Sequence, residues 1–96
     1  MDNSKRVAAQ VHHLKTIDPY FSQVYVGLKN FELRKNDRDF KVGDILVLEE
    51  YDIKTETYTG SAVQKVVTMV LEDCPHFGLM PGYCILSMID YKPQFG

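Results

Sequence analysis

Hydrophobic and polar residues alternate along much of this chain, and the alternation predicts a protein built mainly from strands. Residues Val11–Thr16 place His12, Leu14 and Thr16 on one face and the residues between them on the other, as side chains alternate in a strand. Four further segments have the strand signature: residues 30–34, 45–51, 61–72 and 83–89. The segment 61–72 is long and rich in β-branched side chains, which suits a strand that bends around a barrel.

One segment departs from this alternation and has the spacing of a helix. Its apolar side chains recur about one helical turn apart, and they are Tyr20, Phe21, Val24 and Tyr25. Asp18 can cap the first turn with its side-chain oxygen, and Pro19 suits the first helical position, where no N–H group is needed. Gly27 can adopt the left-handed conformation that ends many helices. The pattern therefore predicts a short helix over residues 19–26.

The order of these elements is one strand, one helix and then four strands. It predicts a mostly β fold with one short helix (α+β), in which a mixed barrel of five or six strands is closed at one end by the helix. The polar residues 52–60 predict a wide hairpin loop. The 96 residues suffice for one domain, which we place at residues 11–90, with flexible tails at residues 1–10 and 91–96.

Composition excludes several classes of protein. A net charge of −2 argues against nucleic-acid binding by overall charge alone. No apolar run approaches the roughly 18 residues of a membrane span, and residues 1–10 lack the apolar core of a signal peptide. Two cysteines do not make a disulfide framework. We therefore expect a cytoplasmic protein with reduced thiols.

Charge is nevertheless segregated along the chain. Residues 29–41 contain five basic and three acidic side chains, whereas residues 44–56 contain five acidic and one basic. The first stretch predicts a local basic patch of the kind that contacts nucleic acid. The second, from Asp44 to Glu56, is an acidic segment that would suit a protein partner. Both stretches are also typical of ordinary solvated surface.

The most informative motif is G-x-K-x-x-E-x-R at the junction between the predicted helix and the second strand. It consists of Gly27, Lys29, Glu32 and Arg34. Glu32 and Arg34 are two apart on a strand, so they share a face at a separation of about 7 Å. Such a pair presents a carboxylate and a guanidinium fork, and the fork suits a phosphate or the O6 and N7 edge of guanine. The alternative is an exposed ion pair worth ~0–1 kcal/mol.

This motif resembles the signature of the ASCH (activating signal cointegrator homology) domains, which are β-barrels similar to the PUA domain of RNA-modifying enzymes. Residues 35–46 also resemble the turn and the "VGD" strand entry of that family. The resemblance extends over residues 12–88 and is specific mainly at residues 27–48, with small bacterial and phage ASCH-like proteins as the nearest look-alikes. It implies a PUA-like barrel with a cleft suited to RNA or a nucleotide-like ligand.

The resemblance and the residue chemistry together suggest a role for each candidate. Lys29 and Arg34 would engage phosphate or base edges, and Glu32 would orient Arg34 or accept a hydrogen bond from a base amine. Three further basic side chains would contact a nucleic-acid backbone: Lys35, Arg38 and Lys41. Phe77 and Tyr83 flank a loop rich in glycine and proline and would stack on a base, unless they simply cover the core.

An enzymatic role is the first alternative. Some ASCH relatives act as amidohydrolases on acylated cytidine with a lysine, a threonine and a glutamate, and their threonine occupies the position of Glu32. Lys29 and Glu32 would then be the acid–base groups, and Glu72 is a candidate second carboxylate. The second alternative is a protein-interaction module of bacterial or phage origin that uses the acidic segment from Asp44 to Glu56.

A metal site is not expected. The candidate ligands do not have the repeated spacing of metal-binding motifs, and they are His12, His13, Cys74, His76 and Cys84. Adjacent histidines on a strand also point to opposite faces. The sequence therefore predicts neither a metal nor a cofactor.

Overall fold

A computed structural model describes residues 8–92 of the chain. Its elements, in chain order, are β1 (Val11–Thr16), α1 (Tyr20–Tyr25), β2 (Phe31–Lys35), β3 (Ile45–Asp52), β4 (Thr57–Glu72), a 3₁₀ turn (Pro75–Phe77) and β5 (Tyr83–Asp90). Across the described residues the fold is mostly β with one short α-helix, as predicted. The predicted tails fall largely on residues 1–7 and 93–96, which lie outside the described residues.

All five strands belong to one mixed sheet in the order β1-β3-β4-β5-β2. β1 pairs with β3 in parallel, and the other neighbours are antiparallel. The sheet curls into a half-barrel because β4 pairs with β3 through its first part and with β5 through its second, with Lys65 and Val66 paired to both, and a register shift between Val67 and Met69 interrupts the β4–β5 ladder. A β-bulge of this kind bends a strand and increases its twist. The long strand predicted at residues 61–72 therefore does bend the sheet.

The core fills the concave side of this half-barrel. Its buried side chains come from the sheet, from α1 and from the loop before β3, and they are Leu14, Val24, Phe40, Leu46, Leu48, Val67, Cys84, Leu86 and Met88. In α1 only Phe21 and Val24 are buried, whereas Tyr20 and Tyr25 are exposed. The buried stripe is therefore narrower than the sequence predicted, because residues three apart share a helix face while their neighbours point about 100° to either side.

The helix boundaries agree with the prediction to within one residue. Pro19 occupies the position before the first helical residue, and the Asp18 carboxylate accepts hydrogen bonds from the Ser22 N–H group at 3.1 Å and the Ser22 hydroxyl at 2.8 Å. Gly27 has a φ of 88°, which is the left-handed conformation expected after a helix. This turn directs the chain from α1 towards Lys29 and β2.

The hairpin between β3 and β4 is tighter than predicted. β3 extends to Asp52 and β4 begins at Thr57, so only four residues of the predicted loop at 52–60 separate the strands. The Asp52 carboxylate accepts a hydrogen bond from the Lys54 N–H group at 2.8 Å. The Tyr51 and Tyr58 rings also pack edge to face at 5.0 Å. Aromatic and β-branched residues favour pairing here over an open loop.

The first residue of the predicted acidic segment lies inside the protein. Asp44 is 1% exposed, and its carboxylate accepts hydrogen bonds from the N–H groups of Gln10 at 3.1 Å and Lys41 at 3.0 Å and contacts His12 Nε2 at 2.8 Å. These contacts fasten the turn before β3 to the start of β1. Asp44 is therefore a structural residue and does not contribute to an acidic surface. Within residues 8–92, no helix is long and apolar enough to cross a membrane.

Candidate functional site

The candidate site lies at the seam where the half-barrel remains open, between the edge strands β1 and β2. On the β2 side, the Met88 N–H group donates to the Asn30 carbonyl at 3.2 Å and the Asn36 N–H group donates to the Gly82 carbonyl at 2.8 Å. Antiparallel hydrogen bonds recur at every second residue. The even-numbered residues of β2 therefore bond to β5, and the main-chain groups of Phe31, Leu33 and Lys35 face the seam.

β1 forms the other side of the seam, and its main-chain groups also alternate between its partner strand and the seam. Ile45 N–H donates to the Gln10 carbonyl at 2.9 Å, so the even-numbered residues of β1 bond to β3 and the odd-numbered residues face the seam. Two arginines cross it. Arg34 Nη2 donates to the Lys15 carbonyl at 3.0 Å, and Arg38 Nη1 donates to the His13 carbonyl at 2.9 Å. Side chains, rather than a strand pair, thus connect the two edges.

A pocket of about 790 Å³ opens at this seam. It is bordered by the end of β1, by α1, by the turn after the helix and by β2, and its lining residues are Lys15, Thr16, Ile17, Tyr20, Gln23, Leu28, Lys29, Phe31, Glu32, Leu33 and Arg34. The pocket therefore contains the three charged residues of the sequence motif. Its size is that of an ordinary small-molecule site.

Glu32 is the centre of the charged network in this pocket. Lys29 Nζ donates to Glu32 Oε2 at 2.7 Å, and Arg34 Nε donates to Glu32 Oε1 at 2.9 Å. Glu32 is only 3% exposed, which distinguishes the network from a surface ion pair. A buried carboxylate needs such partners, since an unpaired buried charge costs several kcal/mol, roughly 3–5 when a partner is removed. The structure thus brings the three residues together, with Glu32 orienting Arg34.

The alternation of side chains in β2 does not show which of its two faces is buried. Glu32 points into the half-barrel, whereas the apolar Phe31 and Leu33 are exposed. A period of two determines which residues share a face, and a shift of one residue exchanges the inner and outer faces. The two cations and the pairing with β5 keep the Glu32 side chain on the buried face of β2. Hydrophobicity alone would have assigned Phe31 and Leu33 to that face.

Several hydrogen-bond donors remain available in the pocket. Lys29 Nζ donates to the Phe31 carbonyl at 2.7 Å and to Glu32, which leaves one of its three protons. Arg34 uses Nε and Nη2, and within residues 8–92 no protein acceptor is bonded to its Nη1 group. Lys29 Nζ also lies 4.9 Å from the centre of the Phe31 ring and 6.0 Å from that of Tyr20. The arrangement is a cationic donor group beside two aromatic rings.

The other predicted site residues do not line this pocket. Phe77 is 81% exposed and packs on His76 at 4.2 Å between ring centres, while Lys41 pairs with Asp39 at 3.1 Å. The remaining members of this group are Lys35, Arg38, Glu72 and Tyr83. Their predicted roles would require a ligand that extends beyond the pocket.

Glu72 lies close to a different buried group. It accepts a hydrogen bond from Asn36 Nδ2 at 2.5 Å and is paired across the sheet with Cys84. Burial, followed by the negative charges of Glu72 and Asp37, raises the pKa of the Cys84 thiol. A buried thiol with a raised pKa is a poor nucleophile, so Cys84 acts as a core residue.

Sequence reasoning missed the part of the pocket contributed by β1 and α1. The Thr16 hydroxyl donates to the Leu14 carbonyl at 3.2 Å and lies 3.4 Å from Arg34 Nη2, and Lys15 supplies the carbonyl that Arg34 binds. Tyr20 and Gln23 of α1 also line the pocket. No local signal in the sequence marks Tyr20 as a site residue, because its spacing in the helix is that of a core residue.

Within the described part of the chain, no group of three or more histidine, cysteine, aspartate and glutamate side chains is arranged to hold a metal ion. The histidines have other contacts. His12 bonds to Asp44, and His13 Nδ1 lies 3.0 Å from Glu49 Oε2.

Comparison with known proteins gives two matches. Over 64 residues the chain is 36% identical to an uncharacterised 12.9 kDa protein encoded in the GpA 3′ region of Escherichia phage P2. The match covers 67% of this chain and 57% of the phage protein, so the chain spans little more than half of that relative. Residues 11–88 match the family described as "Domain of unknown function (DUF3850)". Because this match covers most of the chain, including β1 to β4, most of β5 and the pocket, the chain belongs to the DUF3850 family.

Proposed function

We propose that the pocket at the seam binds RNA or a nucleotide-like ligand. The observation that carries this proposal is the buried Glu32, whose two oxygens hold Lys29 and Arg34 at the pocket while leaving donors on both cations free. Charge-assisted donors of this type suit phosphate oxygens and base carbonyl groups. The resemblance of the motif to the ASCH and PUA-like domains points to the same class of ligand.

The walls of the pocket support the same proposal. Tyr20 and Phe31 are both about half exposed, at 50% and 48%, so each ring has a face available to a ligand. Stacking of a base on an aromatic side chain is worth ~1–3 kcal/mol and tolerates any base. Leu28 and Leu33 add exposed apolar surface to the rim. A ligand with a planar ring and an anionic group would contact both the aromatic side chains and the cationic donors of the pocket.

The low overall charge determines the expected mode of binding. With a net charge of −2, the protein cannot rely on a long-range positive field, so affinity must come from contacts within the pocket. Arg38 uses its Nη1 group to hold β1, and Lys35 and Lys41 are the other basic residues that could contact neighbouring phosphates. We therefore expect a small number of phosphate contacts and a shallow dependence of affinity on salt.

The test is a fluorescence titration of short single-stranded and hairpin RNAs at low and moderate salt. The parent protein should bind, and Lys29→Ala should weaken binding because it removes a donor while Arg34 still pairs with Glu32. Lys54→Ala is the matched control, since Lys54 lies in the exposed turn between β3 and β4. Equal binding by the parent and Lys29→Ala, or no binding at low salt, would overturn the proposal.

One observation favours a second candidate, hydrolysis of an acylated nucleoside. Lys29 Nζ and Glu32 Oε2 are 2.7 Å apart, and the Thr16 hydroxyl lines the same pocket. The residue types used by the amidohydrolase relatives thus meet here, with the threonine on a different strand from the one the motif occupies. This candidate predicts release of cytidine and acetate from N4-acetylcytidine, measured by chromatography. Hydrolysis should disappear in Lys29→Ala and persist in Lys54→Ala.

A further inference from the structure

The pocket lies against the edge of β2 and not against one of its faces. Four consecutive residues, Phe31 to Arg34, line it. Because successive side chains of a strand point to opposite faces, a cavity that contacts all four must also border the main chain between them. The contact from Lys29 Nζ to the Phe31 carbonyl confirms that main-chain groups of this edge face the pocket.

Leu33 lies at the centre of this edge with its main-chain groups unpaired. Its N–H and C=O groups face away from β5, as the alternation of the ladder requires. Among residues 8–92 no protein group is bonded to either of them. On the facing edge of β1, the Lys15 and His13 carbonyls accept hydrogen bonds from Arg34 and Arg38, so side chains lie between the two edges. Polar main-chain groups at the wall of a pocket require a partner from water or from a ligand.

The main-chain N–H and C=O groups of Leu33 lie side by side, and this spacing determines which ligand groups can bond to both of them. In an antiparallel sheet one residue's N–H and C=O groups bond to the C=O and N–H groups of a single partner residue. The Watson–Crick edge of every nucleobase likewise presents an acceptor beside a donor. Single-stranded nucleic acids are often recognised in this way, with a base stacked on an aromatic ring and hydrogen-bonded along its Watson–Crick edge.

We propose that the Leu33 main-chain N–H and C=O groups read the Watson–Crick edge of one unpaired base. This inference rests on the proposed nucleotide-binding function and specifies its ligand as a single-stranded nucleotide with that edge free. The base stacks on Tyr20 or Phe31, and the remaining donors of Lys29 and Arg34 face its phosphate. A base within a duplex is excluded because its Watson–Crick edge is already paired.

The test uses fluorescein-labelled hexamers of each of the four ribonucleotides. The hexamer that binds most tightly is compared with a counterpart methylated at the ring nitrogen of the Watson–Crick edge, and with its duplex. Methylation changes the hydrogen bonding of one edge and leaves the phosphates and the stacking face in place. We expect both the methylated hexamer and the duplex to bind at least tenfold more weakly.

A matched pair of variants tests the same point from the protein side. Leu33→Pro removes the N–H group that faces the pocket, and proline is tolerated on an edge strand when that group faces outwards. Val11→Pro removes an outward-facing N–H group at the start of the other edge strand, β1, and Val11 does not line the pocket. Leu33→Pro should lose at least tenfold in affinity, and Val11→Pro should bind like the parent. Circular dichroism establishes that both variants fold.

The possible outcomes distinguish the inference that Leu33 reads a base from the proposed nucleotide-binding function. Tight binding of the unmodified hexamer with at least tenfold loss on methylation supports the inference, even if Leu33→Pro fails to fold. Equal binding of the methylated and unmodified hexamers overturns the inference and leaves the proposed function standing. The absence of binding by all four hexamers at low salt overturns both.

Discussion

Two carboxylates are buried in this protein to nearly the same degree, and they have different surroundings. Asp44 is 1% exposed and Glu32 is 3% exposed. Asp44 accepts hydrogen bonds from main-chain N–H groups and contacts the buried His12. Glu32 is held by two long cationic side chains, and neither cation uses all of its donors. The first arrangement is closed and holds the chain in place, whereas the second opens onto a pocket and keeps hydrogen-bond donors unused.

The difference shows that burial of a charge does not by itself indicate function. The partners of Asp44 are two main-chain N–H groups and the buried His12, which tie separate parts of the chain together, so the Asp44 cluster is structural. Cationic side chains with unused donors at the border of a cavity retain capacity for a ligand. The two sites can therefore be distinguished by substituting each one and measuring stability and binding separately.

The largest expected effect is the loss of stability in Asp44→Ala. The substitution leaves the N–H groups of Gln10 and Lys41, together with His12, without their buried acceptor. We expect the free energy of unfolding to fall by about 3 kcal/mol or more, measured by urea denaturation. The exposed Asp37→Ala should change it by less than about 0.5 kcal/mol. A loss below about 1 kcal/mol in Asp44→Ala would contradict the structural role.

Glu32→Gln should lose less stability and more binding. The Lys29 and Arg34 side chains, which lose their carboxylate partner, are 14% and 26% exposed, so water can solvate them in part. We expect a loss of about 1–3 kcal/mol in unfolding free energy and at least a tenfold loss of RNA affinity, because the cations are no longer oriented. Glu56→Gln, in the exposed turn before β4, is the control for both measurements. Unchanged affinity in Glu32→Gln would remove the distinction between the two carboxylates.

Arg34 and Arg38 offer a comparison within the seam itself. Both bond to carbonyl groups of β1, but only Arg34 lines the pocket. Arg34→Ala should cost ~1–3 kcal/mol of binding free energy, and Arg34→Lys should restore little of it because an ammonium group lacks the guanidinium fork. Arg38→Ala should retain affinity. Equal losses in Arg34→Ala and Arg38→Ala would indicate that both arginines act only by closing the seam.

Lys41 tests whether a bound nucleic acid extends beyond the pocket. Its partner Asp39 is exposed, so the ion pair is weak and the lysine is available to a phosphate. Lys41→Ala should reduce the salt slope of RNA binding by about 1 while preserving any preference among bases. An unchanged slope would confine the ligand to the pocket.

The smallest expected effect concerns acid stability at the far end of β5. The hydrogen bond and positive charge of the buried Lys65 lower the pKa of Asp90 below its ordinary value of 3.8, with a smaller contribution from Lys92. A lowered folded-state pKa gives a contribution that is complete above the unfolded value and is lost as the pH falls through the folded value. The parent should therefore have a higher free energy of unfolding than Asp90→Asn above about pH 4, and this difference should shrink as the pH falls below that value. A difference that stays constant between pH 3 and pH 7 would contradict this reading.

The strands and the helix could be predicted because their signals are local. Period-two alternation identified β1, β3 and β5, and Asp18 with Gly27 marked the ends of α1. Sequence could also predict that Lys29, Glu32 and Arg34 lie together, since short spacing on a strand and its preceding turn brings them close. The length of β4 indicated that the sheet bends, and the sheet forms a half-barrel where a barrel was predicted.

What could not be predicted depends on contacts between distant residues. Asp44 resembled a surface acid because its neighbours in sequence are acidic, yet its burial is fixed by Gln10 and His12, more than 30 residues away. The seam arises because β1 pairs with β3 and β2 with β5. Tyr20, Gln23 and the Lys15 carbonyl join the pocket only through that arrangement, and nothing in their local sequence indicates it.

The most direct test of the central claim is a ¹H–¹⁵N NMR titration of the protein with a short single-stranded RNA. Binding at the seam predicts that amide shifts concentrate at Lys29, at Phe31 to Arg34 and at Lys15 and Thr16, while the amides of Gln10 and Asp44 remain unchanged. Shifts centred on the Asp44 cluster, shifts spread over the surface without a centre, or no shifts at all would contradict it.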